Sequence, residues 1–331
     1  MPRVTILLPT YNRARLLPEA IKSVLGQTYD DFKLVVSDNA SDDSTPVVMA
    51  SFDDPRIEYV RQPENIGILA NHNWLLQRIE TDYSLILSDD DLLYPEGLER
   101  LVAELDRLPR AGMVHAGFDV IDGNGSVLLP RTNWTYGIEQ DKVESAQEFI
   151  TESMKWSCRV CASTALMRTE ALPPGGMSMD DFPAIDFGMW LRMAGGGLEF
   201  AFVNETLGAY RIHGTTHSAA FGPPQGPGYV QGIEIVLQLK TVKLRFLDTH
   251  DGRIGEPRKL RRLAERSRRH ELVVMVRNLT LPDRKPGPTF RALVSAVRVD
   301  PGVLLGAAAW KLAGASVIGP RLTERIKDLT A

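Results

Sequence analysis

The chain has 331 residues, 44% of them hydrophobic and 24% charged, a balance that excludes a disordered or fibrous protein and suits one large α/β domain or two domains. The net charge of −4 gives no reason to expect a nucleic-acid partner. It hides an asymmetry, because residues 251–331 hold 17 Lys and Arg against 8 Asp and Glu. A basic tail on an acidic body is expected to meet something anionic, such as a membrane surface or a lipid-linked phosphate.

Val4 to Leu8 is a continuous apolar run, as in a strand covered on both faces. Within Ala14 to Leu25, the residues Leu16, Leu17, Ala20, Ile21, Val24 and Leu25 recur at helical spacing. Phe32 to Val36 predicts a second strand, Asp42 to Ser51 a short helix and Ile57 to Val60 a third strand. Ile68 to Ile79 reads as helix and Tyr83 to Leu87 as a fourth strand. Pro95 to Leu108 reads as helix, with Pro near its start and Glu in its first turn. Met113 to Ile121 predicts a fifth strand. Repeated βαβ units imply a doubly wound, mostly parallel sheet with right-handed crossovers.

The pattern loosens over 130–180. Ile185 to Ala194 then reads as helix and Glu199 to Tyr210 as strand. Phe221 to Gly228 holds three prolines and three glycines, a linker or lid. From Tyr229 onward the pattern is helical: 229–248, 257–278, and shorter pieces after Pro288 and Pro301. The expected organisation is a catalytic domain over 1–220, a linker over 221–228, and a helical region over 229–331. That last region is expected to cover an acceptor, form a homodimer or touch a membrane. Its basic helix, Arg258 to Arg269, is either a solvated face or a patch for anionic lipid.

The first strand starts within a few residues of Met1, so no secretory leader is expected. The longest apolar window, Val303 to Gly319, is interrupted by Lys311 and falls short of the roughly 20 residues that span a bilayer. Cys158 and Cys161 are the only cysteines, which excludes a four-Cys zinc site and leaves two reduced, buried thiols as the reading. The predicted location is cytoplasmic, at most peripheral to the inner face of the membrane.

The most telling residues are Asp89, Asp90 and Asp91, three successive carboxylates at the end of the fourth strand. Adjacent anions repel, and folding alone gives no reason for them beyond a helix cap. They suit a divalent cation, since Mg²⁺ and Mn²⁺ take hard oxygen ligands and Mg²⁺ is commonly shared with substrate phosphates. Ligands of open α/β sheets bind beyond the carboxyl ends of the strands. Other candidates fall at that same edge. Pro9-Thr10-Tyr11-Asn12-Arg13 ends the first strand, where Tyr11 can stack on a base. Neither G-x-G-x-x-G nor a P-loop follows that strand. Asp38 ends the second strand, where its carboxylate can accept from a base N–H. Asn65, Gly67 and Asn71 follow the third, offering amides and close backbone approach, or simply a turn.

These motifs, in this order, resemble family 2 glycosyltransferases of the GT-A fold. Ile185-Asp186-Phe187-Gly188-Met189-Trp190-Leu191-Arg192 is similar to the family's E-D-x-x-L-W-L-R segment, with Ile185 where Glu is usual. Tyr210-Arg211-Ile212-His213 is similar to its Y-R-x-H segment. The resemblance covers about residues 3–220. It implies a metal-dependent inverting transferase that takes a UDP-, dTDP- or GDP-linked sugar, uses Mn²⁺ or Mg²⁺, and acts on a saccharide, lipid-linked or small-glycoside acceptor. By position, Pro9 to Arg13, Asn65, Gly67, Asn71 and Asp90 would line the donor site, and Asp38 would meet the base. Asp89 would touch the ribose or the metal's water shell, Asp91 would bind the cation, and His213 would lie beside it. Asp186 would be the catalytic base, with the N-cap of its helix as the competing role and Asp180 and Asp181 as rival bases. A sugar-nucleotidyltransferase is the alternative enzyme, though its first loop normally carries glycines. A non-catalytic sugar-nucleotide-binding protein is the alternative outside enzymes.

Overall fold

The structure, a computed structural model, describes residues 2–132, 140–156, 159–182, 184–213, 228–250 and 253–267. In chain order the elements begin β1 (Val4–Thr10), α1 (Leu17–Leu25), β2 (Phe32–Asp38), α2 (Thr45–Met49), β3 (Ile57–Arg61) and α3 (Ile68–Leu76). Next come β4 (Tyr83–Ile86), β5 (Leu92–Leu93), α4 (Gly97–Arg107), β6 (Ala111–Ile121), β7 (Val127–Thr132) and β8 (Lys142–Glu144). The remainder is α5 (Ala146–Lys155), β9 (Ala165–Arg168), α6 (Ile185–Gly195), β10 (Glu199–Arg211) and α7 (Gly228–Thr249). The chain divides into two compact units. The first comprises Met1–Ser153, Cys158–Arg211 and Asp248–Gly255; the second comprises Met154–Ser157, Ile212–Leu247 and Glu256–Ala331.

The first unit is built on one mixed sheet in the order β3-β2-β1-β4-β9-β6-β10-β5. β1 pairs in parallel with both β2 and β4, and β2 with β3. This parallel core brings the carboxyl ends of β1, β2 and β4 to one edge. β9 inserts antiparallel between β4 and β6, and β6 runs parallel to β10. α1 buries Leu17, Ala20, Ile21 and Val24, and α4 buries Leu98, Leu101, Val102 and Leu105, each set at helical spacing against the sheet.

The sequence pattern places the N-terminal strands and helices within a few residues, but two details differ. α3 stops at Leu76 and α2 is five residues long. β9 is not signalled at all, because Ala-Leu-Met-Arg has neither β-branched residues nor alternation. The fifth expected strand, β6, therefore does not sit beside β4.

β5 matters for the site because it begins directly after the Asp triplet. It pairs antiparallel with β10 at Gly208 and Ala209. The approach is close: a Cβ on Gly208 would lie 2.6 Å from the Leu92 carbonyl oxygen, and one on Gly97 would lie 2.8 Å from that of Leu207. Neither position tolerates a side chain without backbone movement. The triplet is thus clamped at its end by the β5–β10 pairing that begins at the next residue.

In the second unit, a helix over 257–267 buries Leu260 and Ala264 and exposes Arg258, Lys259, Arg262 and Arg266. Lys243 of α7 is buried and donates to the Trp156 carbonyl at 2.7 Å and to Ser267 Oγ at 2.8 Å. Among the described residues no helix is long and apolar enough to cross a membrane. The expected lid over 221–227, Cys158, the end of the basic helix, the Val303–Gly319 window and the later C-terminal helices lie outside the described residues. Cys161 is buried.

Candidate active site

Three loops meet at the carboxyl edge of the parallel core. The loop after β1 is tied to the loop after β2 by main-chain geometry. Asn12 takes a positive φ of 54°, and its amide donates to Ser41 Oγ at 2.9 Å while its Oδ1 accepts from the Asp42 amide at 2.9 Å. The Arg13 amide donates to Thr45 Oγ1 at 3.2 Å. Ala40 also sits at positive φ, 61°, a conformation that strains a residue with a Cβ. This frame presents Tyr11 outward, 42% exposed at the sheet edge, as base stacking requires. Pro9 and Thr10, by contrast, belong to β1 itself, with Thr10 buried.

Asp38 is fully buried. Its Oδ1 accepts from the Ser41 amide at 2.8 Å, its Oδ2 accepts from the Tyr59 hydroxyl at 2.8 Å, and Arg61 Nε lies 3.8 Å away. The Asn residues knit the same loops together. Asn39 donates to Asn65 Oδ1 at 3.0 Å and accepts from the Ile66 amide at 2.8 Å. Asn65 also accepts from the amide of Gly67, whose φ is 84°. Asn71 donates to the Ser37 carbonyl and accepts from its hydroxyl at 2.6 Å. These amides fix the loops after β2 and β3 to one another.

The triplet resolves into three different environments. Asp91 is 1% exposed, with Oδ2 accepting from the Ser163 hydroxyl at 2.6 Å and Oδ1 from the Arg211 amide at 2.9 Å. Burial, and then the charge of Asp90, raise its pKa well above the ordinary range. Asp89 lies 3.4 Å from Arg13 Nε. Burial and the Asp90 charge push its pKa up to about 7, against the opposing pull of Thr10, Arg13 and Tyr11. Asp90 is partly exposed, and its charge adds to the effect of burial on both neighbours. The donor set is hard oxygen throughout, and two buried carboxyls that resist ionising fit a place that a divalent cation would neutralise. Among the described residues, no group of three or more His, Cys, Asp or Glu stands ready as a metal cage.

Arg211 holds this turn together and is the main residue the sequence reading left without a role. Its side chain is buried, with Nε donating to the Asp90 carbonyl at 2.7 Å, Nη1 to the Asp122 carbonyl at 3.3 Å and Nη2 to Glu19 at 2.6 Å. Its place in the Y-R-x-H segment was the available signal. Ser163 gave none. His213 lies two residues beyond β10, in the second unit.

Asp186 lies in the first turn of α6. Ala184, not Asp186, is the N-cap, so the capping role is corrected. The Asp186 carboxylate accepts from the Phe187 amide at 2.7 Å, and burial raises its pKa. Asp181 is a different group. It is buried in an ion pair with Arg192, whose other nitrogen donates to the Gly176 carbonyl at 3.0 Å. Gly188 makes room for it, since a Cβ there would lie 2.1 Å from the carboxyl. Asp181 is therefore occupied in holding its turn against α6, and Asp180 is exposed.

Comparison with known proteins identifies the family and the fold. Residues 5–172 match the profile described as glycosyl transferase family 2. The chain belongs to that family. It is 35% identical over 130 residues to an uncharacterized glycosyltransferase of Rickettsia felis, covering 38% of this chain and 21% of that one. It is 32% identical over 154 residues to a Campylobacter jejuni GalNAc(5)-diNAcBac-PP-undecaprenol beta-1,3-glucosyltransferase, covering 45% and 48%. The chain thus spans between about a fifth and about half of these relatives' lengths. Among solved structures, a mannosyltransferase of Pyrobaculum calidifontis in complex with GDP-Man and Mn²⁺ is similar in fold. The TM-score is 0.61 at 19% identity, over 99% of this chain and 87% of that one. The fold is the α/β GT-A fold.

Proposed function

We propose that the chain transfers a sugar from a nucleotide-diphosphate donor to an acceptor hydroxyl, by a cation-assisted single displacement with inversion. The observation that carries this is the clamped carboxylate triplet at the carboxyl edge of β4, opposite an exposed Tyr11. Tyr11 stacks on the base, and the Asp38 loop bounds the base pocket. The cation contact belongs to Asp90, with Asp89 beside it, rather than to Asp91. Each Asp91 oxygen is already turned to a hydrogen-bond donor, Ser163 or the Arg211 amide, and the side chain is almost fully buried. Bound Mn²⁺ or Mg²⁺ would neutralise the charge that grows on the departing diphosphate.

The chain's own groups supply the rest. Arg13, beside Asp89, faces the donor's phosphates. Asp186 takes the acceptor hydroxyl's proton as its oxygen bonds to the anomeric carbon, and the sugar–diphosphate bond breaks on the opposite side. A raised pKa makes Asp186 a stronger base than an exposed carboxylate, and one such group suffices for inversion. His213 is assigned to the diphosphate end. We assign a saccharide or lipid-linked glycan as acceptor, in keeping with the Campylobacter jejuni relative's name. The helical region after β10 is assigned to acceptor cover, dimerisation or peripheral membrane contact.

The test is a thermal-shift panel of UDP, dTDP and GDP, each with and without Mn²⁺. Stabilisation by one nucleotide only when Mn²⁺ is present supports the reading and names the donor class. No cation-dependent stabilisation by any of them removes it. Cation-dependent binding without sugar transfer to any acceptor leaves the non-catalytic alternative.

A further inference from the structure

The side chain of Arg211 needs an explanation that the fold does not supply. Its backbone pairs with Ile121 in the β10–β6 ladder, and its amide serves Asp91; any residue could do both. Burying a guanidinium costs several kcal/mol unless its donors are matched. Among the described residues one carboxylate lies within ion-pair distance of it, that of Glu19 on α1, and this group is 51% exposed. Two further N–H groups go to main-chain carbonyls, those of Asp90 at 2.7 Å and Asp122 at 3.3 Å.

The Asp90 contact fixes the orientation of a planar peptide. With Asp91 drawn inward by Ser163 and the Arg211 amide, and the Asp90 carbonyl drawn toward Arg211 Nε, the Asp90 carboxylate has a restricted set of directions left. Losing a group that holds a metal ligand in place typically costs roughly 10–100-fold in metal affinity. We propose that Arg211 is the positioning residue that aims Asp90 at the donor-bound cation, and that Glu19 is the strut that aims Arg211. This rests on the assignment of Asp90 to the cation made above.

The experiment measures Mn²⁺ affinity by calorimetry in the full-length protein, with the nucleotide selected by the thermal-shift panel present at saturation. Arg211→Lys keeps the charge and the amide to Asp91 but loses the planar fork. It is expected to weaken Mn²⁺ roughly 10–100-fold. Glu19→Ala lies at the surface, leaves the fold intact, and is expected to weaken Mn²⁺ several-fold while nucleotide affinity in EDTA stays unchanged. A purely structural role would move both affinities together. If Arg211→Lys fails to fold, Glu19→Ala decides the matter. Wild-type Mn²⁺ affinity in Glu19→Ala, with Asp90→Asn unable to bind Mn²⁺, overturns the positioning role and leaves the site reading intact. Wild-type Mn²⁺ affinity in Asp90→Asn instead overturns the reading of the site.

Discussion

Asp90 and Asp91 are neighbours in the chain, and the structure gives them opposite consequences on substitution. In Asp91→Ala, two charge-assisted hydrogen bonds disappear, each worth about 1.5–3 kcal/mol. The Ser163 hydroxyl and the Arg211 amide are left buried without an acceptor. Against this, the carboxylate is disfavoured by its own burial, which offsets part of the loss. The net expectation is a destabilisation of about 3–5 kcal/mol. Asp91→Asn retains one acceptor oxygen for the Arg211 amide, and the Ser163 hydroxyl can rotate to accept from the new amide, so its cost is about 1 kcal/mol. Asp90→Ala removes a charge that raises the pKa of both neighbours, so cation-free stability is expected to be unchanged or up to about 1 kcal/mol higher. Its loss appears elsewhere, as the disappearance of Mn²⁺-dependent stabilisation. Urea denaturation followed by tryptophan fluorescence reads the first quantity, and thermal shift with nucleotide and Mn²⁺ reads the second. The reasoning is refuted if Asp91→Ala is as stable as wild type, or if Asp90→Ala keeps its full response to Mn²⁺.

Three further outcomes follow from particular side chains. Asp186→Asn is expected to fold normally and lose roughly 10²–10⁴ in rate, and the acid limb of wild-type kcat/KM should fall above the ordinary Asp value of about 3.9, because a base acts only when deprotonated and burial raises its pKa. Ala40→Gly should stabilise the protein by about 0.5–1 kcal/mol, since the φ of 61° strains alanine and not glycine; a urea midpoint equal to or below wild type would count against it. His115 is buried beside Phe202, and burial followed by the Arg159 charge lowers its pKa to about 3. A depressed histidine contributes stability that is present above pH 6.5 and is lost as pH falls toward 3, amounting to about 2 kcal/mol already at pH 5. His115→Leu should flatten that part of the stability–pH curve, and an unchanged slope would exclude His115 as its source.

Much of the fold was legible because the N-terminal half keeps local signals and tertiary outcome in agreement. Val4 to Leu8 is apolar but for Thr5 and becomes a strand buried between layers; Leu17, Ala20, Ile21 and Val24 fall on one helix face and face the sheet. β9 was illegible for the converse reason. It owes its place between β4 and β6 to hydrogen bonds supplied by its neighbours, and four residues without β-branching carry no period to detect. The Pro9–Arg13, Asp38 and triplet positions all arrived at one edge, as strand termini in a parallel core must. What each side chain does there was less readable. Asn65 and Asn71 also close the loops on Asn39 and Ser37, pairings that no local signal carries.

The triplet shows where local reading ends. Three identical carboxylates in a row carry no internal sign of which one turns inward, because direction in a tight turn depends on what lies behind it. What lies behind Asp91 is the amide of Arg211, 120 residues further along the chain, and the hydroxyl of Ser163, 72 residues along. The amide arrives because β10 pairs with β5 immediately after the turn, and the hydroxyl because β9, which begins two residues after Ser163, pairs with β4. A sequence can therefore announce a cation-suited cluster through its improbable charge, while the division of labour inside it is decided by long-range pairing. The same pairing ties the acidic turn to α1 through Arg211 and Glu19. A change on the outer face of that helix is then expected to register at the cation before it registers in the stability of the fold.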